Sequence, residues 1–336
     1  MRIVNIHGPN DIRIDEIARP SVGPRDILLK IEACGICGSD LTFAKYGFQR
    51  GSEPWPLGHE AAGIVVATGA EVEGIASGLR VVINPMGATD NVIGNGGSEG
   101  AFAEYLLIRN AALGLHLLAL PDGMPAERAA LVEPFAVGLH GVNQGKVSAE
   151  EKIVVFGAGP IGLAAVFWLK RRGIRGIVSV DLSQDRLALA RAMGATETVN
   201  PATTNLMDAL GRIHGAAAPV LGQPTVGSDL FIDMAGGPGV MDSIVKAARF
   251  QARIVVTAAY AAPVPVDFQT MLLKELSLTM AVGYPTELPE VLAVLAQATA
   301  AEIAPYVTHR FPFDQFAEAF ETARQPSSAK VMVLFD

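Results

Sequence analysis

The chain is 336 residues long, half of them apolar and 18% charged, with a formal net charge of −8. That length exceeds what one hydrophobic core usually organises, so two domains sharing a cleft are expected, and the composition excludes a disordered chain. An acidic balance without a block of Lys or Arg leaves no footprint for nucleic acid or an anionic membrane. The two cysteines, Cys34 and Cys37, cannot build a disulfide framework or a four-cysteine zinc knot.

Met1 to Pro20 carries Arg2, Asp11, Arg13, Asp15, Glu16 and Arg19, so no apolar stretch suited to a signal peptide is present there, and a reducing, cytoplasmic compartment is expected. From Met1 to about Gly145 the texture is short β-rich runs broken by Gly, Pro and Asn, such as Ile27–Ile31, Gly63–Val66 and Arg80–Ile83. Near Lys152 it changes to apolar strands alternating with helical stretches, the pattern of βαβ units and a parallel sheet. Ile153–Phe156, a glycine turn and a helix to about Arg172 form the first unit, followed by the strand Ile177–Asp181. The uncharged run Ile153–Leu169 is read as buried strand and helix, because glycines and Pro160 interrupt it and it is marginal for a membrane span. Further strands are predicted at Leu230–Met234, Arg253–Thr257 and Leu276–Met280, with helices near Gln184–Met193 and Val240–Phe250. Ala216–Ser228 reads as a turn-rich loop. After Gly283 come a helix over Glu287–Thr299, a strand over Tyr306–Phe311 and a helix over Phe313–Ala323. That remainder is too short for its own core. The expected α/β organisation is therefore a β-rich domain over 1–145 completed by 284–336, with a doubly wound parallel-sheet domain over 146–283.

Gly157, Gly159, Pro160, Ile161 and Gly162 lie in a G-x-G-x-x-G placed directly after a strand and opening a helix. The first glycine permits the tight turn, the second lets a pyrophosphate approach the backbone, and the third allows close helix–strand packing. Asp181, 24 residues after Gly157, ends the next strand where a carboxylate can accept hydrogen bonds from ribose hydroxyls and repel a 2′-phosphate, so NAD is favoured over NADP. Arg186 could offset a 2′-phosphate, stack on adenine, or be a solvated helix residue.

Cys37, His59, Glu60 and Glu133 are the N-terminal residues whose chemistry suits a metal, each beside turn-forming residues. Thiolate, imidazole and carboxylate suit Zn²⁺ with one position open for substrate. Each also has a plain reading: Cys37 as a small buried hydrophobe, His59 as a hydrogen-bonded turn residue, the two glutamates as solvated loop acids. Cys34 with Cys37 makes a C-x-x-C. It lacks the second pair of a zinc ribbon and lies far from the βαβ region, so Cys34 is read as a buried strand residue. Asp40 either accepts the second N–H of His59 or caps a helix beginning near Leu41.

Cys34–Asp40, Gly58–Gly63, Val132–Pro134 and Gly157–Gly162 with Asp181–Ser183 resemble, over essentially the whole chain, the zinc-dependent medium-chain alcohol and polyol dehydrogenases. The tail Val307–Pro312 with Ala319–Glu321 is similar to the sorbitol dehydrogenases within that family. The resemblance implies a GroES-like β domain plus a Rossmann domain. It also implies a catalytic zinc held by Cys37 and His59 with Glu60 and Glu133, the last two alternating or holding a bound water. Three departures stand out. The segment 84–100, where many relatives hold a structural zinc on four cysteines, has none, so one zinc per chain is expected. Thr42 stands where the family often has a relay histidine, followed by Phe43 where polyol enzymes tend to carry Tyr. Val282–Pro285 lacks the Arg that polyol enzymes place there. A less polar or differently arranged substrate follows.

The implied reaction is reversible oxidation of a secondary alcohol, polyol or sugar-derived hydroxy compound to its ketone, with hydride passing to NAD and Ser39 relaying the proton. Ser39 also fits a local turn hydrogen bond. Rival readings are a zinc-free NAD(P)H reductase of activated double bonds and a non-enzymatic nucleotide-binding protein of the same fold. The apolar strand Leu276–Met280 reads as a sheet edge, so a homodimer or homotetramer is expected.

Overall fold

The computed structural model describes residues 1–47, 54–87 and 92–336. Part of the cysteine-free segment 84–100 lies outside the described residues. Among the described residues no helix is long and apolar enough to cross a membrane.

The N-terminal half is organised by a seven-stranded sheet in the order Val307–Pro312, Lys330–Leu334, Ile27–Gly35, Glu60–Thr68, Arg80–Ile83 and Leu117–Ala119, with Tyr105–Ile108 also pairing to Ile27–Gly35. Two of its strands come from the C-terminal end of the chain. Side chains alternate across it with the two-residue period of a strand. Cys34, Ala61 and Val81 face a core closed by Phe316 and Phe320 of the helix Phe316–Ala323. Their neighbours Ala33, Ala62 and Val82 face the helix Val132–Gln144 in a second core.

The second half is a six-stranded parallel sheet. Lys152–Phe156 sits in the middle, Gly176–Val180 and Glu197–Val199 lie on one side, and Leu230–Asp233, Arg253–Val256 and Ser277–Met280 lie on the other. Its four inner strands are buried on both faces, as a parallel sheet requires. Ile153 and Val155 pack against the helices Val132–Gln144 and Pro160–Arg171, while Val154 and Phe156 face the side carrying Leu206–His214 and Val240–Ala247. The strand order reverses beside Lys152–Phe156, and ligands of such sheets bind at that reversal.

Two sequence expectations are corrected. Ala216–Ser228 is not a loop but a hairpin, Ala216–Val220 against Gln223–Val226. Leu221 (φ 50°) and Gly222 (φ 74°) make its two-residue turn, and Pro219 and Pro224 are tolerated because each strand has only one neighbour. The helix expected over Phe313–Ala323 is a 3₁₀ turn, Phe313–Gln315, followed by the helix Phe316–Ala323.

Candidate functional site

Cys37 is the N-cap residue of the helix Gly38–Tyr46, which starts three residues earlier than the sequence suggests. Asp40, in the first turn, accepts the Cys37 backbone N–H at 2.9 Å and the Gly58 N–H at 3.3 Å, so one buried carboxylate fixes both the cysteine and the turn leading to His59. The expected hydrogen bond from His59 to Asp40 is not made. Nδ1 lies 3.7 Å from Oδ1, beyond hydrogen-bond range, because the backbone donors have drawn the carboxylate to themselves.

Gly58 holds φ +91°, and a side chain there would meet the backbone of Phe102, so the turn can present His59 inward only with glycine. Glu60 then opens the strand Glu60–Thr68, opposite Gly35. A Cβ on Gly35 would lie 2.2 Å from Glu60 Oε2; the glycine is what makes room for the carboxylate.

The ligand atoms of Cys37, His59 and Glu60 lie within 4.8 Å of one another. His59 Nδ1 is buried without a hydrogen-bond partner. Sulfur, imidazole and carboxylate in that proximity fit Zn²⁺. Glu133 is not in this group. It lies in the first turn of the helix Val132–Gln144, not in a solvated loop, and faces the cluster from there, buried. Burial and the Glu60 charge push Glu133 up to about 7 against the opposing pull of His59 and Lys330. Burial lowers the pKa of His59, but the charges of Asp40, Cys37 and Glu133 outweigh it and hold the imidazole well above its usual range. The pocket thus gathers the acid groups Asp40, Glu60 and Glu133 with the Cys37 thiol around one imidazole.

Sequence reasoning missed three members. Lys330 donates to both oxygens of Glu60, at 2.6 and 2.5 Å, and to the Ile36 carbonyl at 2.9 Å. A lone Lys opening the apolar run Val331–Leu334 is the signal that could have found it. Tyr284 and Tyr306 present buried hydroxyls without hydrogen-bond partners, and the Glu133 charge acts on both. Ser39 Oγ, in the helix after Cys37, is likewise buried and unpartnered. Thr42 is exposed and donates to the Gly38 carbonyl at 3.0 Å, so it carries no proton path inward.

Gly157 (φ +90°) turns the chain out of Lys152–Phe156 into the helix Pro160–Arg171, which starts with Gly159 as N-cap and Pro160 at its first position; Ile161 follows in the first turn. A Cβ on Gly162 would lie 1.8 Å from the Gly157 carbonyl oxygen. Beside this turn lies a cavity of about 1020 Å³ bounded by Gly157, Gly159, Asp181, Arg186, Gly237 and Gln325. Asp181 accepts the Ala158 N–H at 2.7 Å and the Ser183 N–H at 2.8 Å. Each oxygen keeps a second lone pair for a ribose hydroxyl. Arg186 is not a free surface residue: its Nε donates to the Ser328 carbonyl at 2.8 Å, tying the cavity wall to the C-terminal segment. Asp233, also missed, accepts the Ala235 and Gly236 N–H groups and the Tyr260 hydroxyl, shaping the loop across the cavity.

Cavity and cluster are joined by two packed helices. Gly138 of Val132–Gln144 lies so close to Pro160–Arg171 that a Cβ would meet that of Ala164 at 2.6 Å, and Trp168 Nε1 donates to the Phe135 carbonyl at 2.9 Å. Glu133 and the glycine turn therefore sit on one rigid pair.

Residues 23–122 match the profile of the alcohol dehydrogenase GroES-like domain, and residues 160–297 that of the zinc-binding dehydrogenases. The chain is 30% identical to the sorbitol dehydrogenase of Rattus norvegicus over 98% of its length and 95% of that protein's. It is 31% identical to the L-threonine 3-dehydrogenase of Yersinia pestis over 97% and 96%. The crystal structure of 2R,3R-butanediol dehydrogenase from Bacillus subtilis superposes with a TM-score of 0.86 at 28% identity, covering 99% of both chains. The chain belongs to the zinc-binding alcohol and polyol dehydrogenases, with a GroES-like β domain joined to a Rossmann domain.

Proposed function

We propose that this dehydrogenase converts a secondary alcohol or polyol to its ketone with NAD⁺, and the reverse, using one catalytic zinc held by Cys37, His59 and Glu60 with Glu133 facing it. The carrying observation is the convergence of those three ligand types, with their ligand atoms within 4.8 Å of one another around a buried histidine. Zinc bound there supplies a Lewis acid for the alcohol oxygen. Asp40 holds the cysteine and the histidine turn in register through backbone N–H groups. Ser39 Oγ, buried and without a partner, accepts the substrate hydroxyl proton. The glycine turn and Asp181 seat the dinucleotide, and the acceptor-only carboxylate favours a ribose hydroxyl over a 2′-phosphate. Arg186, anchored through Nε to the Ser328 carbonyl, forms part of the wall of the adenosine end. We set the domain boundaries near residues 145 and 284.

The strand Ser277–Met280 is the terminal strand of the parallel sheet, and Met280 and Val282 are 64% and 84% exposed. We place a two-fold partner on that edge, giving a homodimer or a dimer of dimers. The free thiols Cys34 and Cys37 suit a cytoplasmic, reducing setting.

The test is metal analysis of the purified protein together with NADH formation on a panel of sorbitol, 2,3-butanediol, L-threonine and simple secondary alcohols. One zinc per chain and turnover that Cys37→Ser and His59→Ala abolish are expected. A folded protein that binds no zinc, or turnover unaffected by either substitution, overturns the reading.

A further inference from the structure

Tyr306 is fully buried, and its hydroxyl has no hydrogen-bond partner. Its place is set from two sides. The ring lies against Phe135 with centroids 4.5 Å apart, two residues along the helix from Glu133. Its backbone carbonyl accepts the N–H of Lys330, whose ammonium grips Glu60. The residue is thus held between the helix that carries Glu133 and the strand whose Lys330 grips Glu60, and the charges of Glu60, Glu133 and Cys37 all act on its phenol. A buried donor left without an acceptor is costly, and phenylalanine would fill the same space without that cost. Glu60 shows the complementary arrangement: both of its oxygens accept from Lys330, which holds the carboxylate, while each keeps a second lone pair and Cys37 and His59 are its neighbours in the ligand group.

We propose that Tyr306 is the positioning residue of Glu60: its hydroxyl donates to the carboxylate when Glu60 gives up part of its grip on Lys330 to serve as a ligand beside Cys37 and His59. The step is an exchange of donors on one buried carboxylate. No proton leaves the pocket. The inference rests on the zinc site proposed above; Tyr284, the other buried phenol of the pocket without a hydrogen-bond partner, serves as the control.

The test measures zinc affinity of the full chain by chelator competition, and thermal stability of the zinc-free chain, for wild type, Tyr306→Phe and Tyr284→Phe. Tyr306→Phe is expected to bind zinc about tenfold more weakly while its zinc-free melting temperature is unchanged or higher, since an unpartnered hydroxyl has been removed. Adding zinc to the wild type should also perturb the tyrosine ultraviolet difference spectrum, with a component that Tyr284→Phe keeps and Tyr306→Phe loses. Wild-type zinc affinity in Tyr306→Phe overturns the assignment. So does an equal loss of zinc-free stability, which would make the hydroxyl a brace of the fold, or a wild-type spectrum without a tyrosine component. A wild type that binds no zinc defeats the metal site itself, a result distinct from each of these.

Discussion

Lys330 and Glu60 form an ion pair with both side chains essentially sealed from water, 270 residues apart in sequence and joined because the C-terminal strand Lys330–Leu334 pairs with Ile27–Gly35 beside Glu60–Thr68. Removing one partner of a buried pair leaves the other charged without compensation. Lys330→Met should therefore destabilise the zinc-free protein by about 3–5 kcal/mol in chemical denaturation. The loss should shrink when zinc is present, because a cation on the ligand group restores positive charge next to Glu60. Equal losses with and without zinc would show that the lysine serves the fold alone.

The acid-rich pocket also contributes to the pH dependence of the zinc-free protein. Glu133 is raised in the folded state to about 7, so between its ordinary value near 4.5 and that value the native chain holds a proton the unfolded chain has released. Stability contributed by this group falls as pH rises through that window, by roughly 3 kcal/mol when the shift is converted at about 1.4 kcal/mol per unit. His59, also raised, acts in the same direction: its contribution is full below its ordinary value and is lost as pH climbs through the folded one. His214 acts the other way: burial holds it down to about 4, so its contribution rises with pH up to its ordinary value of 6.5. The pocket is therefore read by comparison: from pH 5 to 8 the zinc-free wild type should lose stability relative to Glu133→Gln in denaturation curves. A wild type that gains on Glu133→Gln over that range would contradict the charge balance described here.

Local chemistry made part of this site legible in the sequence, and long-range pairing hid the rest. Cys37, His59 and the glycine turn each sit in a short run whose backbone demands are visible in the residues themselves: Gly58 for the turn at His59, Gly157 and Gly162 for the strand-to-helix turn. Asp40 was recognisable as a helix cap for the same reason, but its preference for backbone N–H groups over the imidazole depends on where Gly58 lies in space. Lys330, Tyr284 and Tyr306 were not assigned to the site because their chemistry comes from neighbours hundreds of residues away. Glu133 was read as a metal candidate, and its plain alternative as a loop acid came from Pro134, which suggests a turn; proline is equally at home in the first turn of a helix, where the structure puts it. Tertiary partners also decided Arg186, whose carbonyl acceptor at Ser328 belongs to a segment that returns only at the end of the chain.

In the proposed function, the preference for NAD over NADP rests on Asp181. Its oxygens hold the Ala158 and Ser183 N–H groups and so organise the turn as well as facing the adenosine end of the cavity. Asp181→Ser should weaken NADH binding by about tenfold, about 1.4 kcal/mol, and narrow the discrimination against NADPH by removing the like-charge repulsion. Fluorescence titration with both nucleotides checks this. Unchanged discrimination would move the determinant elsewhere on the cavity wall.

The sheet edge gives the last prediction. Ser277–Met280 has a strand neighbour on one side only, and the apolar side chains of Leu272, Met280 and Val282 stand 75%, 64% and 84% exposed around it. Lone soluble chains usually protect such an edge with charge, Pro or a bulge, and none of these lies within Ser277–Met280. The same segment runs on directly to Tyr284, beside Glu133, so pairing here would brace one wall of the catalytic cleft. Met280→Glu should place two like charges near the two-fold axis of an isologous contact and shift the protein toward monomer in sedimentation velocity, while the monomer keeps its zinc. If Met280→Glu sediments as the wild type does, the subunits meet through another face.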